Sequence, residues 1–373
     1  MSRRRRAWWA ALLLAVPVAC VAQVLDFSAD ERQRILQHGP WPLPPQADAS
    51  NRVQARPEAV ALGRALFFDT GLSRSGAMAC ATCHQPARAF SDGQPTARGD
   101  RNTPGLLDAG QHRWFGWGGE HDSLWAASLA PLLAPHEIGA TPATLLARLQ
   151  ATPALLRRYT ALFGAPRADE TLAVHLAKAL AAYQATLVSP RTPFDDFRDA
   201  LARGDTAAAA RYPLAAQRGL RLFIGEGRCA VCHAGPLFSN GEFADIGVPF
   251  FTREGVDAGR WAGIAAVRSS RSNRLGPWSD AGPDDARAVG TRHVLREPRH
   301  FGEFRVPGLR QLQHTAPYMH NGSLASIEAV VQHYSALNEE RLHADGERIL
   351  RPLRLDDRAA ADLAAFLRSL SAR

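Results

Sequence analysis

Apolar positions along this chain recur mostly at helical spacing, and alternation at period two is scarce. The first such pattern predicts a short helix near residues 29–37. A polar arm follows to residue 56 and carries Pro40, Pro42, Pro44 and Pro45. Residues 57–68 predict the next helix, with Pro57 at the first helical position, where a missing N–H costs nothing. Residues 141–187 are rich in Ala and Leu at helical spacing, with breaks at Pro153 and at residues 164–166. Ser189-Pro190-Arg191-Thr192-Pro193 reads as a boundary between two domains, 57–190 and 191–373, after the arm at 23–56. Residues 252–300, dominated by Gly, Arg, Asp and Ser, predict a long irregular loop. Asp356 reads as the N-cap of a closing helix that places Leu363, Phe366, Leu367 and Leu370 on one face. The fold class expected is mainly α.

A weak repeat runs through this pattern. Leu62-Gly63-Arg64-Ala65-Leu66-Phe67-Phe68 is matched by Arg218-Gly219-Leu220-Arg221-Leu222-Phe223-Ile224. In both, Gly is followed three residues on by Leu and a large apolar residue. The length of 373 residues and a hydrophobic content of 46% allow two domain-sized cores. Residues 1–22 read as a secretion signal: arginines at 3–6 precede an apolar run at 7–19 that is short for a membrane span. Cleavage after Ala22 releases a soluble protein. Lipidation at Cys20 is the less favoured route, because Pro17 stands where a lipobox has Leu. The net charge of +8 falls to about +4 without the four leader arginines, and the remaining basic residues are scattered, which argues against a nucleic-acid patch.

Four of the 5 cysteines fall in two strings, Cys80-Ala81-Thr82-Cys83-His84 and Cys229-Ala230-Val231-Cys232-His233. C-x-x-C-H is the signature of covalent haem c attachment: two thiols reach one porphyrin edge, and the next imidazole lies under the iron as its proximal ligand. Two haem c groups are therefore expected, in two tandem cytochrome c-like domains joined by long irregular loops. Haem c is attached outside the cytoplasm, so the leader and these sites together predict the periplasm.

Further residues stand in a fixed order around these strings: Trp117, Pro131 with Glu137 six residues later, the run Phe304-Arg305-Val306-Pro307-Gly308-Leu309-Arg310, and then Thr315-Ala316-Pro317-Tyr318-Met319-His320-Asn321-Gly322-Ser323. Together they resemble the bacterial di-haem cytochrome c peroxidase family, including its MauG-like branch, over roughly residues 57–370. The resemblance implies that the second haem transfers electrons and has a second protein ligand fourteen residues after His320, at Tyr334. A Tyr there matches the MauG-like branch, and a phenolate lowers the potential where Met raises it. Met319 and His333 compete for this role, and a core aromatic on a helix at 327–334 is the plain structural alternative. The first haem is implied to be the peroxide site, with Glu137 as its distal acid–base group beside a Pro131 turn. Ala127 stands where Gln is common in the family. The stretch 91–102 lacks the His that blocks the iron at rest in reductively activated members, and His112 and His121 are out of register, so an open first iron is expected. The resemblance also makes Trp117 the relay between the haems, with Trp114 and Trp125 as core. It implies a calcium ion held by the Asn102 side chain and the Thr315 and Pro317 carbonyls, His320 packed near a haem edge, and a homodimer.

The first function expected is reduction of hydrogen peroxide, with single electrons from a small periplasmic donor such as a cytochrome c or cupredoxin. The second is a MauG-like oxidation of Trp or Tyr on a partner protein. Tyr334 favours it, whereas Gly227 stands where MauG carries a surface-relay Trp. A plain electron-transfer cytochrome is the third.

Overall fold

The computed structural model describes residues 23–96, 100–249, 251–252, 255–346 and 349–372. The leader and Cys20 lie outside them. Among the described residues no helix is long and apolar enough to cross a membrane.

The fold is mainly helical, with two separate hydrophobic cores. In the first, the helix Pro57–Phe67 crosses the helix Glu170–Gln184 so closely that a Cβ on Gly63 would stand 1.9 Å from the Ala179 carbonyl oxygen. In the second, the helix Leu214–Ile224 crosses the helix Asp357–Arg368, and a Cβ on Gly219 would stand 2.0 Å from the Asp362 carbonyl oxygen. The glycine of the sequence repeat thus does one job twice: it lets two helices meet backbone to backbone. The residues three and four positions on, Leu66 with Phe67 and Leu222 with Phe223, then face or border the core one turn further along. At the second crossing Arg218 adds a bidentate pair to Asp362, both bonds 2.6 Å long.

Local signals account for the helix ends. Ser28 and Glu31 form a capping box for the helix Ala29–Leu36, and Asp356 accepts the Ala359 N–H at the closing helix. Pro142, Pro153 and Pro193 each open a helix in its first turn, and Gly164 stops the helix Pro153–Phe163. Thr192 caps the helix Pro193–Arg203, within the stretch read as a boundary.

Two expectations are corrected. Residues 252–300 are not one irregular loop: they contain the helix Arg260–Ser269, the short helix Val289–His293 and a small hairpin of Phe251–Thr252 with Gly255–Val256. Buried Arg260, Gly263, Ile264 and Val267 fall on one helical face, a period hidden by a composition typical of loops. Pro131 is not in a turn but inside the helix Leu124–Leu133. It sits close enough to the C-terminal end that only the Ala127 carbonyl loses its helical donor.

The arm 23–56 is a strap across both halves. Phe27 and Ile35 enter the second core, and Arg221 pairs with Glu31 at 2.7 Å. Further on, Val53 enters the first core. Asp48 pairs with Arg274, whose backbone N–H donates to Asp122.

Candidate functional site

Both C-x-x-C-H strings fold as a single helical turn. Cys80–Cys83 is α-helical, and the His84 N–H donates to the Cys80 carbonyl at 2.9 Å. In the second string the His233 N–H donates to the Cys229 carbonyl, also at 2.9 Å. This turn brings each pair of thiols to one side. None of the four forms a disulfide, and burial pushes the Cys80 and Cys229 thiols up to about 12.

Each histidine is oriented by the same device. His84 Nδ1 bonds the Phe90 carbonyl at 3.0 Å, and His233 Nδ1 bonds the Phe238 carbonyl at 2.9 Å. A carbonyl only accepts, so the proton is on Nδ1 and Nε2 keeps its lone pair, the form an iron ligand needs. Burial lowers the pKa of both imidazoles and keeps them neutral. The two phenylalanines turn their carbonyls inward by adopting left-handed backbone, with φ of 61° at Phe90 and 53° at Phe238. Sequence reasoning missed these residues, although the signal was available: Phe-Ser-Asp-Gly at 90–93 and Phe-Ser-Asn-Gly at 238–241 follow the two histidines at nearly equal spacing. Pro104 and Pro307, each followed by Gly-Leu, place a further carbonyl against His84 and His233 respectively. His38, buried in the strap, was also missed. Its Nε2 bonds the His233 carbonyl at 3.2 Å, and its ring lies 4.7 Å from that of Phe238.

The second string opens onto a cavity of about 1060 Å³ lined by Cys229, Cys232, His233, Tyr334, Met319 and Trp117, among others. That is as large as small-molecule pockets of roughly 300–1,000 Å³ become, and it fits a porphyrin. Tyr334 sits on the helix Ile327–Ser335. Burial and the nearby Cys229 and Cys232 push its phenol upward. Tyr159, Tyr212 and Tyr318 each bond their hydroxyl to a protein partner, whereas the Tyr334 hydroxyl has none among the described residues. His333 differs from its neighbour: its Nε2 bonds the Ile246 carbonyl at 2.8 Å. Tyr334 and Met319 thus line the same cavity as His233, while His333 is engaged elsewhere.

Beside the first string lies Glu137, whose charge contributes to the raised Cys80 thiol. A tight turn after the helix Leu124–Leu133 brings it there: the Glu137 N–H donates to the Ala134 carbonyl at 3.0 Å and Ile138 N–H to the Pro131 carbonyl at 3.2 Å. The Ile138 carbonyl in turn accepts from Arg74, just upstream of the string. Glu137 Oε1 is 3.7 Å from His136 Nε2. With its side chain 38% exposed, Glu137 stays within reach of solvent protons.

Trp117 lies in the wall that joins the halves. Its indole N–H donates to the Asn102 carbonyl at 2.8 Å, and its own carbonyl accepts from the Arg305 N–H at 2.8 Å. Asn102, Thr315 and Pro317 line the same cavity. The Asn102 amide NH₂ is committed to the Gln94 and Pro95 carbonyls, which turns its oxygen away from them. Oxygen donors of this kind suit calcium. Trp114 and Trp125 are buried, at 4% and 0% exposure. His320 stacks on Phe304 with centroids 3.5 Å apart. His112 lines the large cavity, and His121 pairs through its backbone with Phe115.

A profile described as di-haem cytochrome c peroxidase matches residues 57–203. The methylamine utilization protein MauG of Methylorubrum extorquens is 36% identical over 323 residues, 85% of this chain and 79% of that protein. The chain belongs to the di-haem cytochrome c peroxidase family. A cytochrome-c peroxidase of Denitromonas iodatirespirans is 33% identical over 96% of this chain and 92% of its own length. Among solved structures, a MauG-like protein associated with microbial copper homeostasis superposes with a TM-score of 0.69 at 25% identity, covering 90% of this chain and 96% of the other. As a member of this family the protein is a peroxidase-type oxidoreductase, and membership implies two haem c groups.

Proposed function

We propose that the protein is a periplasmic peroxidase that reduces hydrogen peroxide to two molecules of water, taking two protons and two electrons. A small cytochrome c or cupredoxin delivers the electrons singly. Haem c at each string supplies, when bound, the peroxide-activating and electron-storing iron; the rest follows from the residues around it. Cys80 and Cys83, with His84, hold the first haem, and Cys229 and Cys232, with His233, hold the second. Glu137 is positioned to take a proton from the peroxide oxygen that binds and return it to the one that leaves, which is general acid–base work worth about 10²–10⁴-fold. The Pro131 carbonyl, at the end of its helix, accepts the Ile138 N–H and anchors the following turn that presents Glu137. Tyr334 closes the second site, so electrons enter there and cross through Trp117. A calcium ion at Asn102, Thr315 and Pro317 would brace the wall between the halves.

The observation that carries this reading is the inequality of the two sites: a carboxylate beside the first, an unpartnered phenol in the cavity of the second. Electron paramagnetic resonance of the ferric protein tests it. One high-spin and one low-spin haem of His/Tyr type are expected, and two low-spin haems would overturn the open first site.

A MauG-like oxidation of Trp or Tyr on a partner protein is the second reading, favoured by Tyr334. Gly227 weighs against it: a Cβ there would stand 2.8 Å from the Leu222 carbonyl oxygen, so no indole fits without moving the backbone. Peroxide added to the ferric protein without donor separates the two. Fast decay and rapid turnover once reduced cytochrome is supplied mark the peroxidase; a long-lived state oxidised by two electrons marks the alternative.

A further inference from the structure

Three buried arginines line the large cavity: Arg260, Arg305 and Arg310. Two of them are occupied. Arg310 makes a bidentate pair with Asp195 at 2.8 and 3.0 Å and donates Nε–H to the Pro236 carbonyl. Arg260 donates to the Gly118 and Gly119 carbonyls and lies 4.0 Å over the Phe243 ring. Arg305 is different. It is only 8% exposed, yet its Nε and Nη1 have no hydrogen-bond partner.

A buried, unpaired guanidinium is costly, and proteins keep one where an anion completes it. Among the described residues the protein supplies no such anion here. Glu120 is the acidic group whose charge reaches Arg305, but Glu120 is already held by Arg101 and the Gly118 N–H. Burial accordingly pulls the guanidinium down to about 10. His112 on the same cavity is pulled to about 3 by burial and by the Arg305 charge, so it adds no second positive charge. The planar fork of an arginine matches a carboxylate edge to edge. The position of Arg305 says which carboxylate. It lies two residues before Pro307, whose carbonyl faces His233, and its strand pairs with Phe243 on the cavity wall.

We propose that Arg305 is the counter-ion of a propionate carboxylate of the haem attached at Cys229 and Cys232, and that it ties this carboxylate to the backbone of Trp117. The second part follows from the bond already described: the Arg305 N–H donates to the Trp117 carbonyl, so one residue would touch both the cofactor edge and the loop that carries the indole. The proposal rests on the reading that haem is attached at the second string.

The test uses the haem-loaded protein. Intact mass first counts the haems: a wild-type chain with haem only at Cys80 and Cys83 fails the attachment reading and this proposal with it. With two haems in place, the potential of each is followed by spectroelectrochemistry in wild type, Arg305→Gln and Arg305→Lys. Removing a positive charge disfavours the electron on the nearby iron, so Arg305→Gln is expected to lower the second-haem potential and leave the first nearly unchanged. Arg305→Lys should retain most of the wild-type value. A second-haem potential unmoved by Arg305→Gln, or a shift confined to the first haem, overturns the proposal while leaving haem attachment intact. Resonance Raman of the wild type gives a readout that needs no variant. The propionate bending band of the second haem should shift in deuterated buffer, as an arginine-bound carboxylate does, and an unshifted band overturns the proposal as well.

Discussion

The two haem-binding halves share one scaffold and differ on one side of it. In both, a glycine lets two helices touch backbone to backbone, and a left-handed phenylalanine offers its carbonyl to the histidine of the C-x-x-C-H string. The opposite sides diverge. The first half presents Glu137 from a turn, partly open to solvent; the second presents Tyr334 from a helix, facing a cavity. The repeated parts fold the chain and orient the imidazole. In the function proposed above, the unrepeated parts decide what each iron does, and the division of labour lies on the sides that carry Glu137 and Tyr334.

That separation can be broken at either level. The largest effect is expected from Glu137→Gln, which keeps shape and removes the proton carrier: peroxide reaction should slow about 10²–10⁴-fold in stopped flow, with both haem spectra nearly unchanged. Wild-type speed would remove Glu137 from the chemistry. Next come Gly63→Val and Gly219→Val. Each forces two helices apart, at a cost of about 3 kcal/mol or more. Denaturant melts followed at each haem should show Gly63→Val loosening the first half and Gly219→Val the second; equal loss in both would mean the halves are one cooperative unit. Tyr334→Met should raise the second-haem potential by roughly 100 mV or more and leave the first in place, since axial ligands tune haem potentials over a wide span. An unmoved potential means Tyr334 is not a ligand. The smallest effect is expected from His38→Leu, which deprives the His233 carbonyl of its partner and should cost about 1–2 kcal/mol, read as earlier loss of the second-haem spectrum on heating.

The scaffold was legible in the sequence wherever a residue type has one strong local meaning. The C-x-x-C-H strings, the prolines at helix starts, the Asp356 cap and the apolar face of Leu363, Phe366, Leu367 and Leu370 all read directly. The repeated glycines were visible as a pattern, but their reason was not, because a contact with the Ala179 or Asp362 carbonyl lies over a hundred residues away along the chain. The helix Arg260–Ser269 escaped because its burial period is carried by Arg260 and Gly263 as well as by Ile264 and Val267. Pro131 misled because a proline reads as a break, yet near a helix end it frees a single carbonyl. Arg305 could not stand out among so many arginines: what distinguishes it is the lack of a partner, a property of three-dimensional surroundings.

The strap sets an order of assembly. The core of the second half takes Phe27 and Ile35 from the start of the described chain and Phe366, Leu367 and Leu370 from its end. Among the described residues, the core of the first half takes nothing from beyond Leu187 except a flanking contact from Trp278. A chain growing from its N-terminus can therefore close the first half early, while its first helix waits for the last one to be made. Until then the second half lacks the helix Asp357–Arg368, which gives Leu363 and Leu367 to the wall of the cavity that His233 also lines.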